Sequence, residues 1–328
     1  EDPILKKTTA PVSMLPARRA AALARRASSC VQPRVFALAG GSARSFSDDA
    51  ASCASMPAQH VPPTSDATTT REKLEFAGAD GTTRLAALLE TPASGGPPKA
   101  FALFAHCFTC GKDVMSAKYI SAALTRNGIA CLRFDFTGLG MSDGEFANTN
   151  FSSNVGDLVA AADHLRKQYA APQLLVGHSL GGAAVLHAAD RVAEARAVAV
   201  LGAPFDPAHV LHNFEADLST IEATGQATVS LAGRAFTITK HFLDDVRSQT
   251  DGTPAKVQRL QKALLVMHAP LDETVGIDNA SQTFFAAKHP KSFVSLDGAN
   301  HLLSSRKDAL YAGDVIATWA QRYILGAG

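Results

Sequence analysis

A pentapeptide of the form Gly-x-Ser-x-Gly at residues 177–181 is the feature that most constrains how this 328-residue chain can fold. It directly follows the apolar run Leu174–Val176 and directly precedes a helical pattern. Glycines two residues before and after a serine permit a cramped turn between a strand and a helix, which lifts the serine hydroxyl above the edge of a sheet. The pattern makes Ser179 a candidate nucleophile, and the alternative is a serine that only caps the helix.

The segments on either side of this turn repeat the alternation of strand and helix. Short apolar runs predict strands at 72–76, 84–90, 101–105, 129–134, 174–176, 197–201, 263–267 and 293–296. Helical patterns lie near 113–126, 151–169, 180–190, 276–287 and 308–323. Such alternation is typical of an α/β fold with a parallel sheet. We expect a mostly parallel eight-stranded sheet with helices on both faces. A small lid insertion at 205–262 is expected over the carboxyl edge of the sheet, where such sheets bind ligands.

Charge is distributed unevenly along the chain. Residues 48–328 contain 23 Lys and Arg against 28 Asp and Glu, which argues against a nucleic-acid-binding body. Residues 1–47 contain eight Lys and Arg, and between Pro3 and Ser47 there is no acidic residue. The sequence has no apolar run of about twenty residues, so no transmembrane segment is predicted.

The basic N-terminal segment has the composition of an organelle transit peptide. We expect residues 1–47 to direct mitochondrial import, with a processing signal at Arg44-Ser45-Phe46-Ser47. The alternatives are a plastid address, or a low-complexity tail on a cytoplasmic protein. Residues 48–70, rich in Ser, Ala, Thr and Pro, are expected to be a flexible linker to a catalytic domain at 71–328.

A serine nucleophile needs a general base and an acid that orients it, and the order Ser, Asp, His matches this type of sheet. Asp272 follows the predicted strand 263–267, and His301 follows the strand 293–296. Both residues therefore stand at carboxyl ends of strands, where Ser179 also stands. The competing candidates for the acid are Asp206, Asp278 and Asp297.

Two backbone N–H groups would be needed to bind the oxyanion of a tetrahedral intermediate. Leu180 supplies the first, and we expect Phe108, on the loop after the strand 101–105, to supply the second. The same loop carries Cys107 and Cys110 as a possible redox pair. The pair could perform redox chemistry, could brake a hydrolase if oxidation displaced the Phe108 N–H, or could be two inert thiols.

Five separated motifs together resemble one family. They are residues 104–110, 133–140, 177–181, 268–272 and 297–301. In this order they resemble the α/β-hydrolase half of the hydrolase–OsmC fusion proteins, over about residues 72–323. The resemblance implies the α/β-hydrolase fold, a triad of Ser179, Asp272 and His301, and Cys107 with Cys110 as a family feature of the oxyanion loop. It does not extend to the peroxide-reducing OsmC half, so it implies no peroxidase activity.

These observations predict a serine hydrolase that cleaves a small-molecule carboxylic ester or thioester through an acyl-Ser179 intermediate, with no cofactor. The alternative is a noncatalytic or redox-regulatory protein that uses Cys107 and Cys110 on a hydrolase scaffold. His209, His212 and His241 could form a metal cluster, but histidines that face water or substrate are the more common arrangement. The sequence therefore predicts no metal site, and it leaves the oligomeric state open.

Residues 1–47 fused to a fluorescent protein should carry it into mitochondria, because an arginine-rich segment that has no acidic residue after Asp2 is recognised by the import machinery. Confocal imaging measures the localisation, and N-terminal sequencing of the recovered fusion locates the cut. The control replaces the eight Arg and Lys residues by Gln and should stay in the cytosol. Diffuse fluorescence from the unmodified fusion would contradict the prediction.

Overall fold

A computed structural model describes residues 69–93, 96–231 and 233–325. The predicted transit peptide and residues 48–68 of the predicted linker lie outside the described residues. Thr69 and Thr70, which we placed at the end of the linker, belong instead to the first strand. They do so because their backbones pair with Pro92 and Thr91 of the neighbouring strand. The first strand thus includes two residues that the sequence pattern assigns to the linker.

Eight strands form one mixed sheet, in the order β1-β2-β4-β3-β5-β6-β9-β10. Their bounds are β1 Thr69–Ala77, β2 Arg84–Pro92, β3 Ala100–Ala105, β4 Ile129–Phe134, β5 Leu174–His178, β6 Ala197–Leu201, β9 Ala263–His268 and β10 Lys291–Ser295. Strand β2 runs antiparallel to both of its neighbours, and the six strands from β4 to β10 in this order are mutually parallel. The predicted sheet is confirmed, with each strand within three residues of its expected bounds.

Helices cover both faces of the sheet. Their bounds are α1 Met115–Arg126, α2 Phe151–Gln168, α3 Leu180–Ala188, α4 Leu218–Thr224, α5 Lys240–Gln249, α6 Thr253–Gln258, α7 Asp278–Ala286 and α8 Arg306–Ile324. One apolar core lies between the sheet and the helices α1 and α8. A second core lies on the opposite face and includes residues of α2, α3 and α7. This two-sided burial explains why β3, β4, β5, β6 and β9 are buried along their whole length and have nearly unbroken apolar sequences.

The predicted lid lies between β6 and β9. It begins with a 3-10 segment at Pro207–Asp217, continues through α4, and contains a hairpin of β7 Gln226–Leu231 and β8 Arg234–Thr239. Helices α5 and α6 complete it. The sequence pattern indicated only that the alternation stopped here, and the hairpin was not predicted. Within the described chain, its two strands pair only with each other. Because most of their residues are exposed or only partly buried, their sequences show little alternation of apolar and polar residues.

Helices α1 and α8 approach each other closely at Gly313. A Cβ atom at this position would lie 2.6 Å from the Cβ of Ala123 and 2.9 Å from the Cα of Ile120. One of these contacts is with helix backbone, which cannot move aside alone. The absence of a side chain at Gly313 therefore sets the distance between the two helices that cover this face.

Gly313→Ala should lower the free energy of unfolding by about 1–2 kcal/mol, because the overpacked contact outweighs alanine's higher helix propensity. Urea titration followed by circular dichroism measures this. The matched control is Gly252→Ala, also at a helical backbone position, where a Cβ would meet no atom within 4 Å. The control should change the value by less than about 0.5 kcal/mol. Equal stability of the two variants would contradict this account of the interface.

Candidate active site

The turn between β5 and α3 has the strained geometry expected of a nucleophile elbow. Ser179 has φ 55° and ψ −128°, a region that non-glycine residues rarely occupy. A Cβ atom on Gly181 would lie 2.3 Å from the carbonyl oxygen of His106, and one on Gly177 would lie 2.4 Å from the carbonyl oxygen of Gly181. Only glycine permits these backbone approaches, so the sequence pattern has a direct steric cause.

The structure brings the three predicted side chains together in one hydrogen-bonded chain. His301 Nε2 lies 2.9 Å from Ser179 Oγ, and His301 Nδ1 lies 2.8 Å from Asp272 Oδ2. Ser179 and the side chain of Asp272 are buried, and the side chain of His301 is only 9% exposed. A hydroxyl, an imidazole and a carboxylate in this order can transfer a proton from oxygen to nitrogen.

Asp272 is held in its charged form by the donors around it. Burial alone would raise the pKa of this carboxyl group, but its hydrogen bonds to His301 and to the backbone of Val275 and Thr274 outweigh burial and keep the pKa below its usual range. Oδ1 accepts from the N–H groups of Thr274 at 2.9 Å and Val275 at 2.8 Å. These backbone donors leave Oδ2 to accept from His301.

The three competing carboxylates lie in other surroundings. Asp206 accepts from Ala208 N–H and from the hydroxyl of Thr250, both in the lid segment. Asp297 accepts from the Ser295 hydroxyl at 2.6 Å. Asp278 lies exposed in the first turn of α7. Asp272 is therefore the acidic candidate that contacts His301.

Two buried histidines that the sequence analysis overlooked support the triad loops. His178 Nε2 lies 2.7 Å from the carbonyl oxygen of His301, and His268 Nε2 lies 2.7 Å from that of Val275. Because a carbonyl oxygen only accepts, each Nε2 carries the hydrogen. Burial, followed by the charge of His301, lowers the pKa of His178 to about 4, and burial also lowers the pKa of His268. Both are the last residues of their strands, and that position is the signal that could have revealed them.

The two predicted oxyanion donors, Leu180 and Phe108, line the same narrow crevice. Within the described residues neither backbone N–H makes a hydrogen bond. The carbonyl oxygen of Cys107 accepts from His106 Nδ1 at 2.8 Å and from Cys110 N–H at 3.1 Å. The Cys107 carbonyl and the Phe108 N–H belong to the same peptide group. Because a trans peptide is planar, with its C=O and N–H on opposite sides, these two bonds also fix the direction of the Phe108 N–H.

Cys107 and Cys110 are joined by a disulfide, so the two sulfurs lie within bonding distance rather than pointing apart. Between them, Thr109 has φ 57°, an unfavourable conformation for a β-branched residue. The guanidinium of Arg234, on β8, donates to the carbonyl oxygen of Thr109. The oxyanion loop is therefore fastened both to itself and to the lid hairpin.

An ion-pair network supports the other side of this loop. Lys112 Nζ lies 2.9 Å from Asp135 Oδ2, and Asp135 also accepts from Met141 N–H at 3.0 Å. The buried Arg133 pairs with the buried Glu90 at 3.3 Å and donates to the carbonyl of Lys112. Arg133 and Asp135 belong to the motif at 133–140, so its charged residues connect β4 to the oxyanion loop.

Aromatic side chains connect the oxyanion loop to the lid. The ring of Phe108 lies 5.7 Å from that of Phe146 and 5.5 Å from that of Phe242 on α5, and Phe146 lies 5.1 Å from Phe236 on β8. We call these four residues the phenylalanine cluster. It makes the surroundings of the Phe108 ring apolar.

The candidate metal-binding histidines have other contacts. His241 Nε2 lies 2.5 Å from Asn150 Nδ2, and His209 Nε2 lies 3.1 Å from the carbonyl oxygen of Thr274. His212 packs its ring against that of His209. Across the described ranges, no group of three His, Cys, Asp or Glu side chains could hold a metal ion. Nor does any described helix have the length and apolar character needed to cross a bilayer.

Comparison with known proteins places this architecture among hydrolases. Residues 96–222 match the family model described as serine aminopeptidase, S33. The esterase domain of a Rhodothermus marinus protein is 45% identical, with a TM-score of 0.63; the match covers 78% of this chain and 99% of that domain. Est1E from Butyrivibrio proteoclasticus, solved with ferulic acid, is 19% identical with a TM-score of 0.65 over 77% of this chain and 100% of its own, which shows the fold alone.

A curated relative matches a shorter segment. The mitochondrial palmitoyl-protein thioesterase ABHD10 of Pongo abelii is 43% identical over 75 residues, which is 23% of this chain and 23% of that protein. The chain thus matches about a quarter of the length of this relative. Together with the nearly complete coverage of the Rhodothermus marinus esterase domain, these likenesses show that the chain is a hydrolase and belongs to the α/β-hydrolase family.

Proposed function

We propose that this hydrolase cleaves a small-molecule carboxylic ester or thioester through an acyl intermediate on Ser179. The observation that carries the proposal is the continuous hydrogen-bonded chain from Ser179 Oγ through the His301 ring to Asp272. A serine hydroxyl is a poor nucleophile unless an adjacent base accepts its proton. The esterase and thioesterase names of the relatives support this reaction class.

In the first half of the reaction, Ser179 Oγ attacks the carbonyl carbon of the substrate while His301 Nε2 accepts the hydroxyl proton. Asp272, ionised by its three donors, stabilises the imidazolium that forms. The free N–H groups of Leu180 and Phe108 donate to the oxyanion. His301 then gives the proton to the departing alcohol or thiol, which leaves an acyl group on Ser179.

In the second half, water loses a proton to His301 and attacks the acyl group, and the carboxylic acid departs as Ser179 Oγ regains the proton. Each proton is transferred between groups within this chain and the substrate, so the scheme uses no cofactor. The phenylalanine cluster supports an acyl or aryl group of apolar character as the part of the substrate nearest Phe108. The name of the ABHD10 relative supports a mitochondrial location, as the composition of residues 1–47 does.

Ser179→Ala and His301→Ala should each lower kcat for a p-nitrophenyl ester by about four orders of magnitude or more, and Asp272→Asn by somewhat less. The triad acts as a unit, so losing one member removes most of its effect. Stopped-flow and steady-state assays measure the rates, and an unchanged unfolding transition is the control for folding. Fluorophosphonate should label the parent at Ser179. Turnover by Ser179→Ala within tenfold of the parent would contradict the proposal, and an unlabelled, inactive parent would favour a noncatalytic protein.

His178 should act as a positioning residue, because its Nε2–H holds the backbone of His301. Removing this hydrogen bond with His178→Met should lower kcat about fivefold with KM unchanged, which corresponds to about 1 kcal/mol for a neutral hydrogen bond. His178→Gln, whose amide N–H can take the place of Nε2–H, should recover most of the loss. Steady-state kinetics of the three proteins test this.

His187 offers a matched control for the His178 variants. It is also buried, burial lowers its pKa to about 4, and its Nε2 lies 2.9 Å from the Thr253 hydroxyl, outside the triad loops. His187→Met should therefore affect stability while kcat stays within twofold of the parent. A similar fall in kcat for His187→Met and His178→Met would mean that His178 has a general structural role instead.

A further inference from the structure

The Cys107–Cys110 disulfide lies on the loop that carries one oxyanion donor. We propose that this pair is a thiol–disulfide exchange site, and that its reduction by a dithiol lowers turnover because the loop then no longer holds the Phe108 N–H in place. The inference rests on the proposed function for the catalytic effect. The exchange chemistry itself does not depend on catalysis.

The position of the disulfide links it to Phe108. The bond closes a turn of four residues, and the same turn is closed by the hydrogen bond from Cys110 N–H to the Cys107 carbonyl at 3.1 Å. That carbonyl belongs to the peptide that carries the Phe108 N–H. A change in the separation of the two cysteines therefore rotates the peptide group that we assign to the oxyanion.

Backbone strain supplies the reason for movement after reduction. Thr109, inside the closed turn, has φ 57°, and a β-branched residue is rarely stable in this region unless its surroundings impose it. Two of the constraints at Thr109 are the disulfide and the hydrogen bond from Arg234. When the disulfide is reduced, Thr109 can adopt a negative φ. The Phe108 N–H then turns away from the direction that it has in the disulfide-bonded loop.

The accessibility of the two cysteines sets the order of the exchange. Cys110 is partly exposed, whereas Cys107 is 3% exposed. A thiolate of the dithiol attacks Cys110 Sγ, the disulfide bond breaks, and Cys107 leaves as a thiolate and takes up a proton. The second thiol of the dithiol then displaces Cys110, which is also protonated. The dithiol is oxidised to a disulfide, and the protein gains two electrons and two protons.

The structure shows the oxidised loop together with an intact Ser179–His301–Asp272 chain, and the N–H groups of Phe108 and Leu180 have no hydrogen-bond partner among the described residues. This combination favours the oxidised form as the active one. The brake hypothesis from the sequence, in which oxidation displaces the Phe108 N–H, expects the opposite sign. One experiment therefore separates the two.

The test compares the full chain equilibrated with oxidised or reduced dithiothreitol. Alkylation and peptide mass spectrometry establish the state of Cys107 and Cys110 in each sample. On reduction, kcat for a p-nitrophenyl ester should fall about tenfold, and KM should stay within twofold of its value in the oxidised protein. This fall is smaller than the roughly hundredfold fall that complete loss of an oxyanion donor causes. Reoxidation should restore kcat. Ser179→Ala in the same buffer gives the background rate at which dithiothreitol itself cleaves the ester.

Two variants make the test specific. The double variant Cys107→Ser/Cys110→Ser should have the kcat of the reduced parent and should not respond to dithiothreitol. Cys131→Ala is the matched control, because burial raises the pKa of that thiol to about 12 and it lies within β4, away from the loop. It should respond to reduction as the parent does.

Hydrogen exchange of a peptide covering residues 105–112 should be faster in the reduced protein and in the double variant, with other peptides unchanged.

The outcomes separate this inference from the proposed function. Equal kcat in samples shown to be disulfide-bonded and fully reduced would overturn the proposal and leave the hydrolase mechanism standing. A higher kcat after reduction would overturn it in favour of the brake. Failure of both oxidised and reduced protein to hydrolyse any ester would count against the proposed function, and the hydrogen-exchange comparison would then still decide whether reduction loosens the loop.

Discussion

The close approach between the turn at Ser179 and the end of β3 is the constraint on which the rest of the site depends. With no side chain at Gly181, the first turn of α3 can lie against the backbone carbonyls of Ala105 and His106. Leu180 and Phe108 consequently line one crevice. It also leaves Ser179 with the strained backbone that directs its hydroxyl at His301.

The electrostatics of the site follow from a buried negative charge on Asp272 that is surrounded by neutral donors. His178 and His268 both lie nearby, and a positive charge on either would compete with His301 for this carboxylate. Burial lowers the pKa of each, so they remain neutral and serve as hydrogen-bond donors to the loop backbone. Three imidazoles can thus lie beside one carboxylate, with His301 alone directed at its Oδ2 by a short hydrogen bond.

The lid contributes to the site through a small number of contacts with the oxyanion loop. Arg234 donates to Thr109, and the rings of Phe236 and Phe242 reach the loop through the phenylalanine cluster. The loop that carries Phe108 is thus held from the sheet by the charged residues of the 133–140 motif and from the lid by aromatic packing. Contacts from the sheet and from the lid therefore meet at the same four-residue turn.

Much of this could be predicted from the sequence because the signals are local. The strands of the central sheet are continuous apolar runs, and the glycines around Ser179 reflect a steric requirement within one turn. Strand-end position was enough to select Asp272 and His301. The lid hairpin was missed because β7 and β8 expose much of their surface, so their residues show little apolar period.

The sequence by itself determined the order of the strands of the central sheet and of the helices between them, and the residues that stand at the ends of these strands. Only the tertiary structure decided which distant groups meet, such as His178 with the carbonyl of His301 and Arg234 with Thr109. It also decided that Thr109 has a positive φ inside the turn that the Cys107–Cys110 disulfide closes. The two hydrogen bonds join groups up to 125 residues apart in the sequence, and each requires its two atoms to lie at hydrogen-bonding distance. A local pattern specifies how a segment folds, whereas such distances are set only when all the packed layers are in place.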